Sequence, residues 1–526
     1  MGVGAFCEPA RSAAGPASGL GESVDFDVIV VGSGVAGSLC AWKLAEAGRK
    51  VLLVEAGPPV DRQQAAARFA HTENPNDTYP ADADQPRFQQ PDRFYEQRGQ
   101  EPFTAVYEKV VGGTTWHWLA TTLRFLDSDL RMRTRYGVGQ DWPLSLSELE
   151  PYYGLAEKEL GVAGAVLPPL PATYLDQQVA LAGRKLGYSV KVLPAARNSI
   201  EYDGRPACRG SASCFPICPV GAKYDASVHV KKALAAGVTL WSATPVTRFL
   251  VQDGQVTGVE CRRGGEPTRV TAPLFILAAN AVESPRLLLH SGLPNPWTGR
   301  FLMGMAGQVS RALAPRPVWP FRSPQVVSGI TQFRDGAFRR SRAGFVVSIG
   351  NDGWPDGAPP SIAKQLVERG FKGKELQQAV REHVSRQLLL VSNCEELPRA
   401  ENRVSLSDQK DSLGVPRPRV HFALSRYTLD SIDESVLVHA RIFHEMGASH
   451  VLHYEKADDP AHLAGTCRMG ERGQSVVDST LRSHDWPNLY VVGSAVFPTA
   501  GTAPPTLTVA ALALRCAEML AKTRSS

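Results

Sequence analysis

One stretch narrows the folds open to this chain more than any other: residues 26–57, FDVIVVGSGVAGSLCAWKLAEAGRKVLLVEAG. Residues 26–31 are an apolar run of strand length, and Gly32, Gly34 and Gly37 follow in a GxGxxG pattern. Such a turn needs residues without a Cβ for three separate reasons: to reverse tightly, to let a pyrophosphate come against the backbone, and to seat the next helix on the strand. The helix then directs its first amides, and the positive end of its dipole, at the phosphates. Residues 51–54 read as a second strand, and Glu55 ends it at roughly the 20-residue spacing of the acid that bonds a ribose hydroxyl. A glycine-rich turn can also close an ordinary strand–helix corner. Strand, helix and acid together predict a dinucleotide site in an α/β fold, with NAD and FAD both left open.

The 526 residues exceed the roughly 250–300 at which a single core stops growing, so two domains or two interleaved lobes are expected. The charge of +5 comes from 57 basic and 52 acidic residues spread along the chain, too slight and dispersed for a nucleic-acid partner. No apolar run approaches the ~20 residues of a membrane span. Residues 1–24, rich in Gly, Ala, Ser and Pro and without a hydrophobic h-region, read as a disordered leader and not as a secretory signal. Of nine cysteines, six (Cys7, Cys40, Cys261, Cys394, Cys467, Cys516) are scattered singly, which argues against a disulfide framework.

Residues 58–101 are polar and aperiodic, and are expected to form a long surface excursion. It ends at VYEKVVGGTTWHW, residues 106–118. Gly112 and Gly113 give a second tight backbone segment there. Thr114, Thr115, Trp116, His117 and Trp118 can then present hydroxyls, an imidazole and two indoles to a flat aromatic ligand, or the tryptophans can be core residues and His117 a satisfied polar group. In DWPLSLSELEPYY, Ser145 or Ser147 can cap a helix through Glu148. The loop PACRGSASCFPICPVGAKYD, residues 206–225, gathers Cys208, Cys214 and Cys218. Three thiolates in a Pro-punctuated loop suit an iron-sulfur centre with three irons, or with four and an open corner. Zinc wants four ligands at other spacings, and free thiols are the bland alternative.

Residues 238–263 alternate in strand fashion around an Asp253-Gly254 hairpin turn. An apolar strand at 274–279 leads to a helix that Ser284-Pro285 is expected to open. Residues 301–456 read as a second lobe with a strand at 344–349 and a polar helix over 372–389. In the tail, His462 precedes a Gly-Thr turn, a strand at 489–492 ends at Gly493-Ser494, and GTAPPT, residues 501–506, opens a helix over 507–520 whose amides can stabilise negative charge. His462 is either a structural histidine or a site residue.

The dinucleotide stretch, VGGTTWHW, NAVESPRLLLHSG, HLAGTCRMG and NLYVVGSAVFPTAGTAPPTLTVAALALR occur in the order seen in the glucose-methanol-choline flavin oxidoreductases. With the three-cysteine loop, the chain most resembles the catalytic subunits of bacterial FAD-dependent glucose, fructose and gluconate 2-dehydrogenases. The resemblance implies a Rossmann-like FAD-binding domain assembled from separated segments (25–125, 230–300 and 456–526), an α+β substrate lobe (126–200 and 301–455) and a cysteine loop at 201–229. It implies FAD against Gly32, Gly34, Gly37, Glu55, Gly112, Gly113, Thr114, His117, Val246, Gly493, Ser494 and Thr506, with a covalent bond from His117 to the flavin open. It implies hydride transfer from an alcohol group of a sugar or polyol, with His462 as base, and a 3Fe-4S cluster on Cys208, Cys214 and Cys218 passing electrons to a cytochrome. A small export-signal subunit, a multihaem cytochrome c subunit and the periplasmic face of a bacterial inner membrane complete what it implies. Two departures stand out. Pro504 occupies the family's second catalytic position, usually Asn or His, and Gly304-Met305-Ala306 stands where members often carry a DHP triplet. An oxidase using oxygen, and a non-catalytic flavin electron-transfer subunit, are the alternatives.

Overall fold

The computed structural model describes residues 26–523 apart from 73–76, 81–83, 85–92, 100–102, 356 and 455–456; the leader expected at 1–24 lies outside them. The apolar runs Val28–Val31 and Val51–Val54 are buried throughout and pair in parallel, from Val28 against Val51 to Val31 against Val54. Unbroken Val and Leu suits strands covered on both faces. The complete sheet has five parallel strands in the order Leu489–Val491, Leu274–Leu277, Val28–Val31, Val51–Val54, Thr239–Trp241. Helix Val35–Glu46 crosses between the two central strands and packs on Ser227–Ala235 and Thr506–Lys522. Small residues let these helices approach closely, and the Cys40 thiol donates to the Ala513 carbonyl at 3.5 Å.

A three-stranded antiparallel sheet, Val246–Gln252, Gln255–Arg263 and Glu266–Thr271, flanks this core. Its first hairpin turns at Asp253 and Gly254, with φ of 52° and 74°, the left-handed pair that a two-residue primed turn requires.

The second lobe is built on a seven-stranded sheet in which Ser449–His453, Met303–Leu313, Gln387–Cys394, Phe345–Gly350, Val326–Ile330 and Val190–Val192 lie side by side and Ala457–Ala464 also pairs with Met303–Leu313. Helix Arg426–Glu445 covers one face. Buried His439 on that helix bonds Ser392 Oγ at 2.9 Å and Ser310 Oγ at 2.8 Å. Because side chains alternate along a strand, Leu389, Val391 and Asn393 must face the other way, toward a cavity between the lobes.

Several local expectations are corrected. Part of the excursion at 58–101 is a helix, Arg62–Ala70, capped by the Asp61 carboxylate on the Gln63 and Gln64 amides. The polar helix ends at Ser385, and 387–394 is a strand. The helix expected to open at Ser284-Pro285 begins at Asn280, so Pro285 lies inside it. A proline there removes the N–H that would bond the Ala281 carbonyl, and the Thr466 hydroxyl takes that place at 2.7 Å. Residues 126–200 divide between the lobes: Leu146–Leu160 packs on Thr506–Lys522, whereas Val190–Val192 joins the second sheet. No helix among the described residues is long and apolar enough to cross a membrane.

Candidate active site

The carboxyl ends of four parallel strands meet at one cleft of about 280 Å³, lined by Gly32, Glu55, Ala278 and Gly493 among others, the place where an open α/β sheet takes its ligand. The three glycines of the turn do three different jobs. Gly32 has φ of 100°, and a Cβ there would lie 2.5 Å from the Ala278 carbonyl oxygen. On Gly37 a Cβ would lie 1.8 Å from the Gly32 carbonyl oxygen, so its bareness seats the helix on the turn. On Gly34 it would meet nothing within 4 Å and would project into open space. Gly113 approaches from the other side, its Cβ position 3.3 Å from the Gly34 Cα. The Gly112 amide donates to Ser33 Oγ at 3.1 Å, so the second glycine pair is tied to the first. No side chain caps the helix that Gly34 opens. Its leading amides are left for an anion such as a pyrophosphate.

Glu55 is buried at the end of its strand. Its Oε2 accepts from the Ser33 amide at 2.8 Å and hydroxyl at 2.7 Å, its Oε1 from the Gly57 amide at 3.0 Å, and burial still pushes the carboxyl up. Val246, Thr114, Ser494 and Thr506 also line the cleft. An ion cluster on the wall of the cleft carries no mark in the sequence motifs. Glu283 takes bonds from Tyr107 at 2.6 Å and Arg286 at 3.0 Å and lies 3.2 Å from Lys109, while Arg286 also reaches Asp411. Burial pushes Glu283 up, but the Lys109 and Arg286 charges outweigh it and hold the carboxyl down at about 2. The nearest cue is the strand–helix junction after 279. There Asn280, at φ of 62°, caps the Val282 and Glu283 amides with its own side chain.

Thr114, Trp118, Asn280, Ser494 and Thr506 belong both to this cleft and to a second cavity of about 490 Å³, so one runs into the other. The second cavity contains His117, His462 and Pro504. His462 has φ of 62°, uncommon for a residue with a Cβ and the kind of outlier that collects at functional sites. Residues 465–469 run beside 494–496, with Gly465, Cys467 and Met469 amides bonding Ser494, Ala495 and Val496 carbonyls, which carries His462 to the cavity mouth. Its Nδ1 is buried without a hydrogen-bond partner among the described residues, and burial pulls the imidazole down to about 4. It is therefore neutral at physiological pH. Pro504 lines the cavity without a side-chain donor, and Thr502 beside it is anchored to buried Asp129 at 3.0 Å.

His117 is buried, with Nδ1 3.0 Å from Glu108. The two indoles separate: Trp118 lines both cavities, whereas Trp116 packs with Ala65, Tyr79, Val110 and Ile217 in a core beneath the cysteine loop. Cys214 and Cys218 are buried and Cys208 is half-buried, all as free thiols. The Gly210 amide donates to Cys208 Sγ at 3.4 Å and the Lys223 amide to Cys218 Sγ at 3.5 Å. The Lys223 ammonium is itself buried on the Trp116, Trp118 and Cys214 carbonyls. Burial pulls it down to about 8 against the neighbouring Cys214 and Cys218. Soft donors and a nearby cation suit a cluster in kind. As they stand, however, no three His, Cys, Asp or Glu side chains among the described residues are arranged to hold a metal ion.

Residues 26–317 and 398–513 each match GMC oxidoreductase. The chain is 34% identical to the fructose dehydrogenase large subunit of Gluconobacter japonicus, over 95% of this chain and 98% of the relative. It is 30% identical to the paromamine 6'-oxidase of Streptomyces fradiae, over 94% and 91%. A pyridoxine 4-oxidase from Mesorbium loti shares the fold, with a TM-score of 0.67 at 19% identity over 95% of this chain and all of that one. The chain belongs to the GMC oxidoreductases, and FAD is the dinucleotide that its cleft fits.

Proposed function

We propose that this chain is a dehydrogenase that oxidises an alcohol group of a sugar or polyol, with His462 taking the hydroxyl proton. The observation that carries the reading is His462, a neutral imidazole on the wall of a cavity continuous with the dinucleotide cleft. When bound, FAD supplies the hydride acceptor. The chain's own part is to hold the alcohol between His462 and the throat formed by Thr114, Asn280 and Ser494, and to meet negative charge with the uncapped amides that begin Thr506–Lys522. Pro504 supplies no donor, so substrate orientation rests on other lining groups.

The resemblance further supports Cys208, Cys214 and Cys218 as the ligands of a 3Fe-4S cluster, and the relative named as a large subunit supports partner subunits, a small one and a multihaem cytochrome c, at the periplasmic face of the inner membrane. The Glu108 contact at Nδ1 orients the His117 ring and is compatible with a histidyl bond to the flavin through the other nitrogen. A second reading, an oxidase using oxygen, is favoured by the relative named as an oxidase and by the absence of an arranged metal ligand set among the described residues. Iron and acid-labile sulfide analysis of the purified protein, with sugar-driven turnover on oxygen against an artificial acceptor, separates the two. Acid precipitation tests the covalent bond: a yellow pellet that is lost in His117→Ala supports it, and free FAD in the supernatant ends it. If no sugar or polyol bleaches the flavin anaerobically, the dehydrogenase reading fails.

A further inference from the structure

The wall of the second cavity carries an acid that the oxidation does not use. Asp352 follows strand Phe345–Gly350 and lines the same cavity as His462. Its Oδ2 accepts from Gln325 Nε2 at 2.8 Å, and Gln325 Oε1 takes the Phe215 amide. The Gln325 side chain is thereby oriented: turned over, it would set its oxygen against the carboxylate and its NH₂ against a backbone N–H. Beyond Gln325 and its own backbone N–H, the Asp352 carboxylate has no partner among the described residues, and it makes no ion pair.

No lysine or arginine is among the described residues lining this cavity; the other titratable groups there are Tyr107, His117 and His462. Burial raises Asp352 to about 6, and a cation bound beside it would hold the acid ionised. An enclosed carboxylate with no cation of its own is unfavourable, and a ligand that brings the cation offsets that cost. A neutral sugar would receive only a hydrogen-bond acceptor, which an amide could supply as well.

Building on the reading of this cavity as an alcohol-oxidising site, we propose that its substrate carries a protonated amine as well as the alcohol, as an amino sugar or amino polyol does, and that Asp352, held by Gln325, receives the ammonium group. The test uses the flavin-loaded protein with matched probes: glucosamine and glucose, serinol and glycerol. Anaerobic flavin bleaching gives KM and kcat, and calorimetry gives binding directly. The expected result is an amino probe favoured over its neutral partner by about tenfold or more in KM, the worth of a charge-assisted hydrogen bond. Asp352→Asn, close in shape but without the charge, should abolish that preference, so that the two KM values of a pair become equal, with flavin content unchanged. Equal KM values for the pair in the wild type, or an equal change for both in Asp352→Asn, would overturn the inference and leave the dehydrogenase reading standing. If no probe bleaches the flavin, amine binding that Asp352→Asn removes would uphold the amine site while the dehydrogenase reading fails. Absence of amine binding would end the inference.

Discussion

At Gly34 the missing side chain matters because nothing of the protein is there to be disturbed. A Gly34→Val chain should fold with its melting temperature nearly intact and purify colourless, because the branched side chain occupies cleft and not core. Full flavin occupancy in that variant would show that the dinucleotide lies elsewhere. His462→Ala should keep the flavin and lower the rate of flavin reduction by substrate at least ~10²-fold, the lower figure for a positioned base. The base acts deprotonated, so activity that depends on it is lost as pH falls through about 4, and is flat in this residue's titration at higher pH. A limb near 6.5 that disappears in His462→Ala would contradict the burial of the ring. Both residues were singled out by local cues in the sequence: a glycine in a GxGxxG run, and a histidine three residues before a Gly-Thr turn. Gln325 and Asp352 were not. They flank the paired ends of two neighbouring strands, Val326–Ile330 and Phe345–Gly350, and which way a side chain faces depends on a register that no short stretch reveals.

Among the elements, the helix Asn280–His290 shows how a local cue misleads. Serine and proline at 284 and 285 look like a helix start. The start is nevertheless five residues earlier, because Asn280 caps the helix and Thr466, far along the chain, repairs the carbonyl that Pro285 leaves bare. Thr466→Val should therefore destabilise the protein by about 1–3 kcal/mol, the range for a buried acceptor left unpaired. Adding Pro285→Ala restores a backbone N–H to Ala281 and should recover much of that loss. Additive effects in the double-mutant cycle would sever the proposed link between the two positions. Where cue and partner lie within a few residues, as in the Ser145 and Glu148 capping box, sequence and structure agree, with the Glu148 amide 3.3 Å from Ser145 Oγ and the Glu148 carboxylate 2.8 Å from the Ser145 amide.

Across the whole molecule, stability should depend on acid through histidines kept neutral. His439 is fully buried between Ser310 and Ser392, and burial, with a smaller push from His453, pulls it down to about 3. Its folded value lies below the unfolded one near 6.5, so the unfolded chain binds more protons as pH falls. Stability from this group is full above about 6.5 and declines toward 3, by about 2 kcal/mol between pH 6.5 and 5. Thermal melting at pH 7 and pH 5 should show a smaller drop in His439→Gln than in the wild type, and an equal drop would place the acid sensitivity in other groups. The two-lobed plan and the dinucleotide lobe were legible because periodic and glycine signals mark them. The division of 126–200 between lobes was not, since nothing in a helix sequence states which neighbour it will cover. That interleaving bears on synthesis. The central strands appear early in translation, but Leu489–Val491 and Thr506–Lys522, which complete the sheet and pack behind the glycine turn, emerge hundreds of residues later. A ribosome-bound chain thus holds half a cleft until those two elements emerge, and loading of the cofactor must wait for them.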